Sequence, residues 1–321
     1  MKIAFYTPDI NCRGTCVALF DYAYYSQQYF NFTPIIISHS SYLSSNDIVI
    51  TKKFQLHFPL FYISNIDELE SILEKEKCNL LYCIKYGKND GIYSKRIPTV
   101  IHCVFDMSEP HGDVYAGVSE TLAKKFNKEL YVPHMVSLPI SIFKESLRQT
   151  LNISKDDIVY GRYGGMDTFD IPFVYETIKE VVQVKKNIYF LFINTPKFIT
   201  HPQVIYLDKV YDNDEKNRFI CTCDFMIHAR LGGETFGLAI AEFSINNKPI
   251  ITYGGYVVDT AHKEILKEKA IYYHNKDDLY NLFLTLDSDK VKDKDWNCYK
   301  EYRPLKVMEQ FKKVFCNILN K

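Results

Sequence analysis

The sequence predicts an α/β protein of two doubly wound domains, each a parallel sheet covered by helices. Three observations carry that expectation. The chain has 321 residues, enough for two domains at about 150 residues each. Short apolar runs alternate throughout with segments of helical period, the pattern of parallel sheets with helices on both faces. The alternation begins again in the second half with a series of similar size, which places a boundary within residues 137–155. The expected division is 1–140, 141–300, and a closing helix over 301–321 that returns to the first domain.

The elements follow in order. Met1–Thr7 is an apolar strand, Asp9–Gly14 a loop, and Thr15–Tyr29 carries apolar residues at helical spacing. Pro34–Ser38 is a strand, Asn65–Lys77 a helix opened by Asn-Ile-Asp, and Asn79–Ile84 a strand. Thr99–Phe105 and Val114–Val118 are buried strands, and Ser119 caps a helix to Phe126 because its hydroxyl can accept from the free first-turn amides. In the second half Asp157–Arg162 is a strand, a helix starts near Pro172, and Ile188–Ile193 and Val204–Leu207 are strands. Asp212 opens a helix, Phe225–His228 is a strand, a helix runs from near Thr235 to Ile245, and Pro249–Thr252 is a strand. Lys290–Asp295 is charged and linker-like, and the last helix starts near Pro304.

Composition removes several functional classes. With 39 basic and 39 acidic residues the formal charge is zero, so the chain is not built to hold a nucleic acid by charge. At 47% hydrophobic and 24% charged it is neither disordered nor collagen-like. The 15% of aromatic residues fits either aromatic-lined surfaces or codon bias. Nine cysteines, an odd number set mostly in apolar runs, read as reduced thiols, so the expected compartment is cytoplasmic. Cys221-Thr-Cys223 has no second pair at zinc spacing and is read as structural. No signal-peptide core or membrane-length run is present.

The densest chemistry lies in His228-Ala-Arg-Leu-Gly-Gly-Glu234-Thr-Phe-Gly-Leu-Ala-Ile-Ala-Glu242. A strand, a glycine-rich turn and a helix start follow one another, and amides at a helix N-terminus favour a phosphate. With the helix starting near Thr235, Glu234 and Glu242 are separated by roughly 12 Å along the axis. That is about the span of a sugar-diphosphate-ribose unit, with one carboxylate for hexose hydroxyls and one for ribose. Glu234 also suits a second reading, as a charge complementing the helix dipole. Glu242 shares the apolar stripe with Leu238, Ala241 and Ile245, so it requires a partner.

Glu234-Thr-Phe-Gly-Leu with Glu242, followed by Asn247-Lys-Pro-Ile-Ile-Thr252, resembles the Glu-x7-Glu signature of retaining glycosyltransferases of family 4. Arg148-Gln-Thr-Leu-Asn-Ile with Val159-Tyr-Gly-Arg162, the Ser119-Glu-Thr-Leu-Ala-Lys helix, and Thr99-Val-Ile-His102 resemble further family segments, over residues 98–285. The resemblance implies the GT-B fold, two facing Rossmann-like domains with the last helix crossing back. It implies metal-independent transfer of a sugar, with retention, from a UDP- or GDP-linked donor to a glycan or other hydroxyl acceptor. No cofactor or metal is expected.

Carried over residue by residue, Glu234 contacts donor sugar hydroxyls, flanked in the donor site by Gly233 and Thr235. The amides of Phe236, Gly237 and Leu238 hold the distal phosphate and sugar. Glu242 takes the ribose, and Arg162 stabilises the leaving diphosphate. His102 meets the sugar from the other domain, while Gly14 lets the backbone approach the phosphates. The family's second basic residue, five positions after its arginine, is Asp167 here. Arg230, at the mouth of the turn, is the expected replacement cation; its alternative is an ion pair with Asp224 or Glu234.

Other signals are weaker. Asp106 to His111 gathers polar groups on one loop. Asp212-Asn-Asp214, Asp287-Ser-Asp289 and Asp293-Lys-Asp295 lack the setting of a catalytic metal. Lys124-Lys125 and Lys185-Lys186 are solvated faces that allow at most peripheral membrane contact. Two rival functions remain: a GT-B nucleotide-sugar epimerase or hydrolase, and a catalytically silent nucleotide-sugar-binding module.

Overall fold

The computed structural model describes residues 1–140, 145–288 and 291–320. The chain divides into two compact units, Met1–Ser137 with Glu301–Lys321, and Leu138–Lys300. Part of the expected 137–155 boundary stretch (141–144), and Asp289 and Lys290, lie outside the described residues.

The first unit contains β1 (Lys2–Thr7), α1 (Gly14–Phe30), β2 (Thr33–His39), α2 (Ile48–His57), β3 (Leu60–Ile63), α3 (Ile66–Lys75), β4 (Leu80–Lys85), β5 (Thr99–Cys103), β6 (Val114–Gly117) and α4 (Glu120–Lys125). Its six strands run parallel in the order β3-β2-β1-β4-β5-β6. Helix starts follow local chemistry: Asn65 accepts from the Glu68 amide, Ser119 from Leu122, and Asp47 from Val49 and Ile50, satisfying first-turn donors.

The second unit contains β7 (Ile158–Arg162), α5 (Pro172–Val184), β8 (Ile188–Ile193), β9 (Val204–Leu207), α6 (Asn213–Thr222), β10 (Phe225–His228), β11 (Gly233–Glu234), α7 (Leu238–Ile245), β12 (Ile250–Tyr253), β13 (Asp259–Thr260), α8 (Ala261–Leu266), β14 (Ile271–Tyr273) and α9 (Lys276–Thr285). Its main sheet is also parallel, in the order β14-β12-β10-β7-β8-β9, and β11 pairs with β13 in a separate ladder. Counted along the chain, both sheets therefore have the order 3-2-1-4-5-6. The order reverses between the first and fourth strands, β1 and β4 in one unit and β7 and β10 in the other. Loops leaving the carboxyl ends of those strands diverge there and leave a crevice suited to a ligand.

The aromatic residues fill the cores. Tyr160 stacks between Phe190 and Phe225, each with ring centroids 5.3 Å away, and meets the edge of Phe283 at 4.9 Å. The last helix, α10 (Pro304–Phe311), packs on α1; Phe311 stacks on Tyr22 at 5.2 Å and lies 5.3 Å from Tyr82. Such pairs add about 0.5–1.5 kcal/mol each beyond the area they bury.

Two expectations are corrected. The helix after the glycine-rich turn starts at Leu238, not near Thr235. Gly237, at φ +86°, is its N-cap, a left-handed conformation that glycine adopts without steric cost. Residues 291–295 are not a loose linker. Val291 and Trp296 sit in the core cluster, Asp295 pairs with Lys269 at 2.8 Å, and Asn247 Oδ1 accepts from the Trp296 amide at 2.7 Å.

Candidate functional site

The polar residues of the second unit gather at the carboxyl ends of β7 and β10, where the strand order reverses. His228 ends β10, and the chain then turns through Arg230 to Gly233. That turn is fastened on both sides. Asp170 accepts from the Leu231 amide at 2.8 Å, and the Asp259 amide donates to the Gly232 carbonyl at 2.9 Å. Gly233 is at φ +69°, and a Cβ there would lie 1.9 Å from the Asp259 carbonyl oxygen, so only glycine allows the β11–β13 approach. Glu234 is thus set by a backbone ladder rather than by a helix. The helical spacing to Glu242 inferred from sequence is corrected accordingly.

The Glu234 carboxylate is half-buried and held at both oxygens. Arg230 Nη1 donates to Oε2 at 2.8 Å, and His228 Nε2 faces Oε1 at 3.4 Å. His228 Nδ1 lies 2.8 Å from the Thr252 hydroxyl, an arrangement satisfied by an Nε2–H imidazole accepting from Thr252. Burial by itself would raise the Glu234 pKa. The His228 hydrogen bond, then the charge of Arg230, outweigh burial and bring it down to about 2, so Glu234 is an anion at neutral pH. Arg230 meets Glu234, not Asp224, whose carboxylate pairs with Arg148 at 2.7 Å and accepts from the Val159 amide.

Arg162, at the end of β7, is 3% exposed. Its Nη1 donates to the Asn194 carbonyl at 2.9 Å and the Thr195 hydroxyl at 2.6 Å. Its Nη2 donates to the Gly165 carbonyl at 2.6 Å and the Thr168 hydroxyl at 2.7 Å. The four terminal N–H groups thus have four protein acceptors, and Arg162 ties the 163–168 loop to the loop after β8. Burial pulls its pKa down to about 10 against the opposing pull of Glu234, Tyr175 and Asp167, so it stays charged. The expectation that it offers its guanidinium to a diphosphate is corrected to a buried clamp beneath the site. Asp167 helps hold that buried charge.

Glu242, 6% exposed, has its required partners inside the unit. Lys216 Nζ donates to Oε1 at 2.7 Å, and the Tyr163 hydroxyl donates to Oε2. Lys216 comes from α6 and Tyr163 follows β7, so neither is signalled near Glu242 in sequence. Burial, then Glu242, drive the Tyr163 pKa well above the usual phenol value, keeping it a donor. Thr235 and Phe236 are buried, and the Phe236 carbonyl accepts from Tyr299 Oη at 2.9 Å. Gly237 and Leu238 form the start of α7.

In the first unit, Gly14 is the exposed first residue of α1, after the loop that leaves β1. That loop is pinned by Asn11, which accepts from the Arg13 amide at 2.8 Å and donates to Asp9 at 2.6 Å. His102 is corrected. It is fully buried on β5, with Nδ1 2.6 Å from the Tyr82 hydroxyl and Nε2 2.8 Å from the Val132 carbonyl. Burial pushes its pKa down to about 4. It is a neutral, satisfied core histidine, with no nitrogen left for a sugar.

The sequence reading assigned no role to His228, Lys216, Tyr163, Thr252 or His262. His228 alone had a signal, as the residue that opens the motif. Among the described residues no group of three or more His, Cys, Asp or Glu side chains is placed to hold a metal. Among them, too, no helix is long and apolar enough to cross a membrane.

No protein-family model and no curated protein sequence matches the chain. Solved structures do. Anabaena HepE in complex with UDP-glucose matches over 99% of this chain and 100% of its own, at TM-score 0.75 and 14% identity. A glycosyltransferase from Rickettsia africae ESF-5 matches over 100% and 98%, at TM-score 0.72 and 12% identity. The fold is GT-B. S. aureus MnaA, in a co-structure with UDP, matches over 99% and 97% at TM-score 0.65 and 13% identity. At these identities the likeness establishes the fold, and the site must supply the chemistry.

Proposed function

We propose that this chain is a glycosyltransferase that moves a sugar, with retention and without a metal, from a nucleotide diphosphate sugar to an acceptor hydroxyl. The second unit holds the donor and the first supplies the acceptor side. One observation carries the reading: Glu234 is fixed as an anion by His228 and Arg230 where the strand order reverses. A rigid carboxylate in such a crevice accepts hydrogen bonds from sugar hydroxyls. Next to it, Gly237 opens α7, whose first-turn amides favour a phosphate. The structural neighbours HepE, with UDP-glucose, and MnaA, with UDP, support a nucleotide donor.

In the step proposed, the bond between the sugar's anomeric carbon and the diphosphate oxygen breaks. The acceptor oxygen bonds to that carbon on the same face, and the acceptor proton passes to the departing phosphate oxygen. Arg162 holds the loops around the diphosphate, and the Glu242 carboxylate takes the ribose by exchanging one of its bonds to Lys216 and Tyr163. Incubation with UDP- and GDP-linked sugars and a panel of glycan acceptors tests the reading, with product anomeric configuration read by NMR. Transfer with retention is the expected result. Absence of binding by every nucleotide sugar overturns the reading.

A second reading is favoured by the saturation of Arg162 and by Asp167 in place of a second cation: a silent nucleotide-sugar-binding module. It requires saturable donor binding and no turnover with any acceptor, and the same incubations separate the two.

A further inference from the structure

His262 is a buried polar group that the site described above leaves without work. It is the second residue of α8, immediately beyond the β13 residues whose backbone sets Gly233 and Glu234. Its side chain is 1% exposed, and neither ring nitrogen makes a hydrogen bond of good geometry, although the Glu234 backbone lies close enough to one of them to favour its protonation. Its ring centroid lies 5.1 Å from that of His228, the residue that faces Glu234 Oε1. Burial, then the neighbouring His228 ring, push its pKa down to about 3, with Glu234 pulling the other way. The ring is therefore neutral at physiological pH.

A neutral imidazole carries one donor and one acceptor. Leaving such groups buried and unmatched is destabilising, and an apolar side chain of similar size avoids the cost. Buried polar groups without partners call for a physical reason, commonly a functional one. His102 and His228 show the ordinary outcome elsewhere in this chain, with both nitrogens engaged.

We infer that His262 is a contact for the glycosyl group of the donor, exchanging hydrogen bonds with sugar hydroxyls that enter beside Glu234. This rests on the donor-site reading above. A hydroxyl is at once donor and acceptor and matches a neutral imidazole; a phosphate is acceptor-only and does not. The route in runs past the His228 ring, whose Nδ1 is held by Thr252 at 2.8 Å. The Glu234 bond to His228 is long at 3.4 Å, beyond the usual range, and a sugar hydroxyl that takes over Oε1 frees His228 to shift from the His262 ring.

The test compares ligands with and without the sugar. Wild type, His262→Leu and His262→Asn are titrated calorimetrically with UDP-glucose, UDP-galactose, UDP-GlcNAc and UDP, and their Tm values are recorded. His262→Leu is expected to weaken the nucleotide sugar that wild type binds about tenfold or more, to leave UDP binding unchanged, and to raise Tm by a few degrees. His262→Asn, which keeps a donor and an acceptor, is expected to recover part of the sugar-specific loss. Equal weakening of UDP and nucleotide sugar with a lower Tm marks a packing role and overturns the inference, as does unchanged binding of both. If wild type binds none of the four, the same titrations are run with GDP-linked sugars and GDP; if it binds none of these either, the donor reading itself fails and takes the inference with it.

Discussion

The two sheets share one strand order, yet their carboxyl edges are finished differently. In the first unit the buried polar groups on the inner strands close on each other. Lys85, at the end of β4, pairs with Asp90 and donates to the Ile92 carbonyl at 3.3 Å, and His102 is saturated by Tyr82 and Val132. In the second unit a rigid base of the same kind, Arg162 with its four acceptors, lies under a layer that is not closed. Glu234 and Arg230 keep about a fifth of their side-chain surface exposed, and His262 is unmatched. Topology supplies a crevice in both units; the proposed donor role goes to the second because Glu234 and Arg230 stay partly exposed at its carboxyl edge.

The largest effect expected is at the open layer. Glu234→Gln keeps the shape of the side chain but removes the charge that Arg230 and His228 hold. Transfer from a nucleotide sugar should fall at least 100-fold, with the urea midpoint moved little. A variant with near-normal turnover would leave the second edge no more functional than the first. Arg162→Met probes the closed layer beneath. It strands the Asn194 carbonyl and leaves the Gly165 carbonyl and the Thr168 and Thr195 hydroxyls with only their remaining local bonds, and should lower the unfolding free energy by about 2 kcal/mol, read from urea denaturation. If stability is kept and donor affinity alone collapses, Arg162 is a ligand-facing cation after all.

Acid separates the two edges next. The His102 pKa is depressed to about 4 from an ordinary 6.5, so its neutral form stabilises the fold fully above pH 6.5. As pH falls from 6.5 towards 4 the unfolded chain binds a proton that the native one refuses, and stability drops by up to about 3 kcal/mol. Glu234, depressed to about 2 from 4.5, acts lower: its contribution is present above pH 4.5 and is lost as pH falls through 2. His102→Phe should therefore make the stability profile between pH 6.5 and 4 less steep without flattening it, because His134 and His262 are also held neutral by burial, and should leave the loss below 4.5 in place. A profile with the original slope would mean that His102 is not the group titrating there.

Most strands are legible because their side chains are apolar on both faces; Ile188–Ile193, Val204–Leu207 and Phe225–His228 begin and end where the sequence places them. Capping side chains make Asn65, Ser119 and Asp212 legible as helix starts. Elements with weak periodicity are not legible, even α2 with its Asp47 cap. Strand β14 is three residues long, and α2 exposes Ile48, Val49 and Leu56, so neither has a clear period. In the site, Glu234 and Glu242 were legible as residues but their surroundings were not. The Asp259 clamp that draws Glu234 off the helix lies 25 residues ahead of it, and Tyr163 reaches Glu242 across 79 residues. His102 misled because an apolar strand bearing a histidine looks alike whether its nitrogens are satisfied or waiting.

The smallest effect belongs to Arg230, and it tests whether the open layer is open towards a diphosphate. Its pair with Glu234 is partly exposed and four residues apart in sequence, so its worth to stability is under about 1 kcal/mol. Nothing in the fold requires it. Arg162 is consumed by protein acceptors and Lys216 by Glu242, which leaves Arg230 as the cation beside the turn whose present bond a ligand can replace. Arg230→Ala should weaken UDP binding about fivefold at low salt. The gap from wild type should narrow as ionic strength rises, because a partly exposed charge is screened. The same variant removes one of the forces holding the Glu234 pKa down, so the acid limb of the transfer rate should move to higher pH. An unchanged dissociation constant for UDP, with a shift only in that acid limb, would make Arg230 a keeper of Glu234 and leave the diphosphate to the amides of α7.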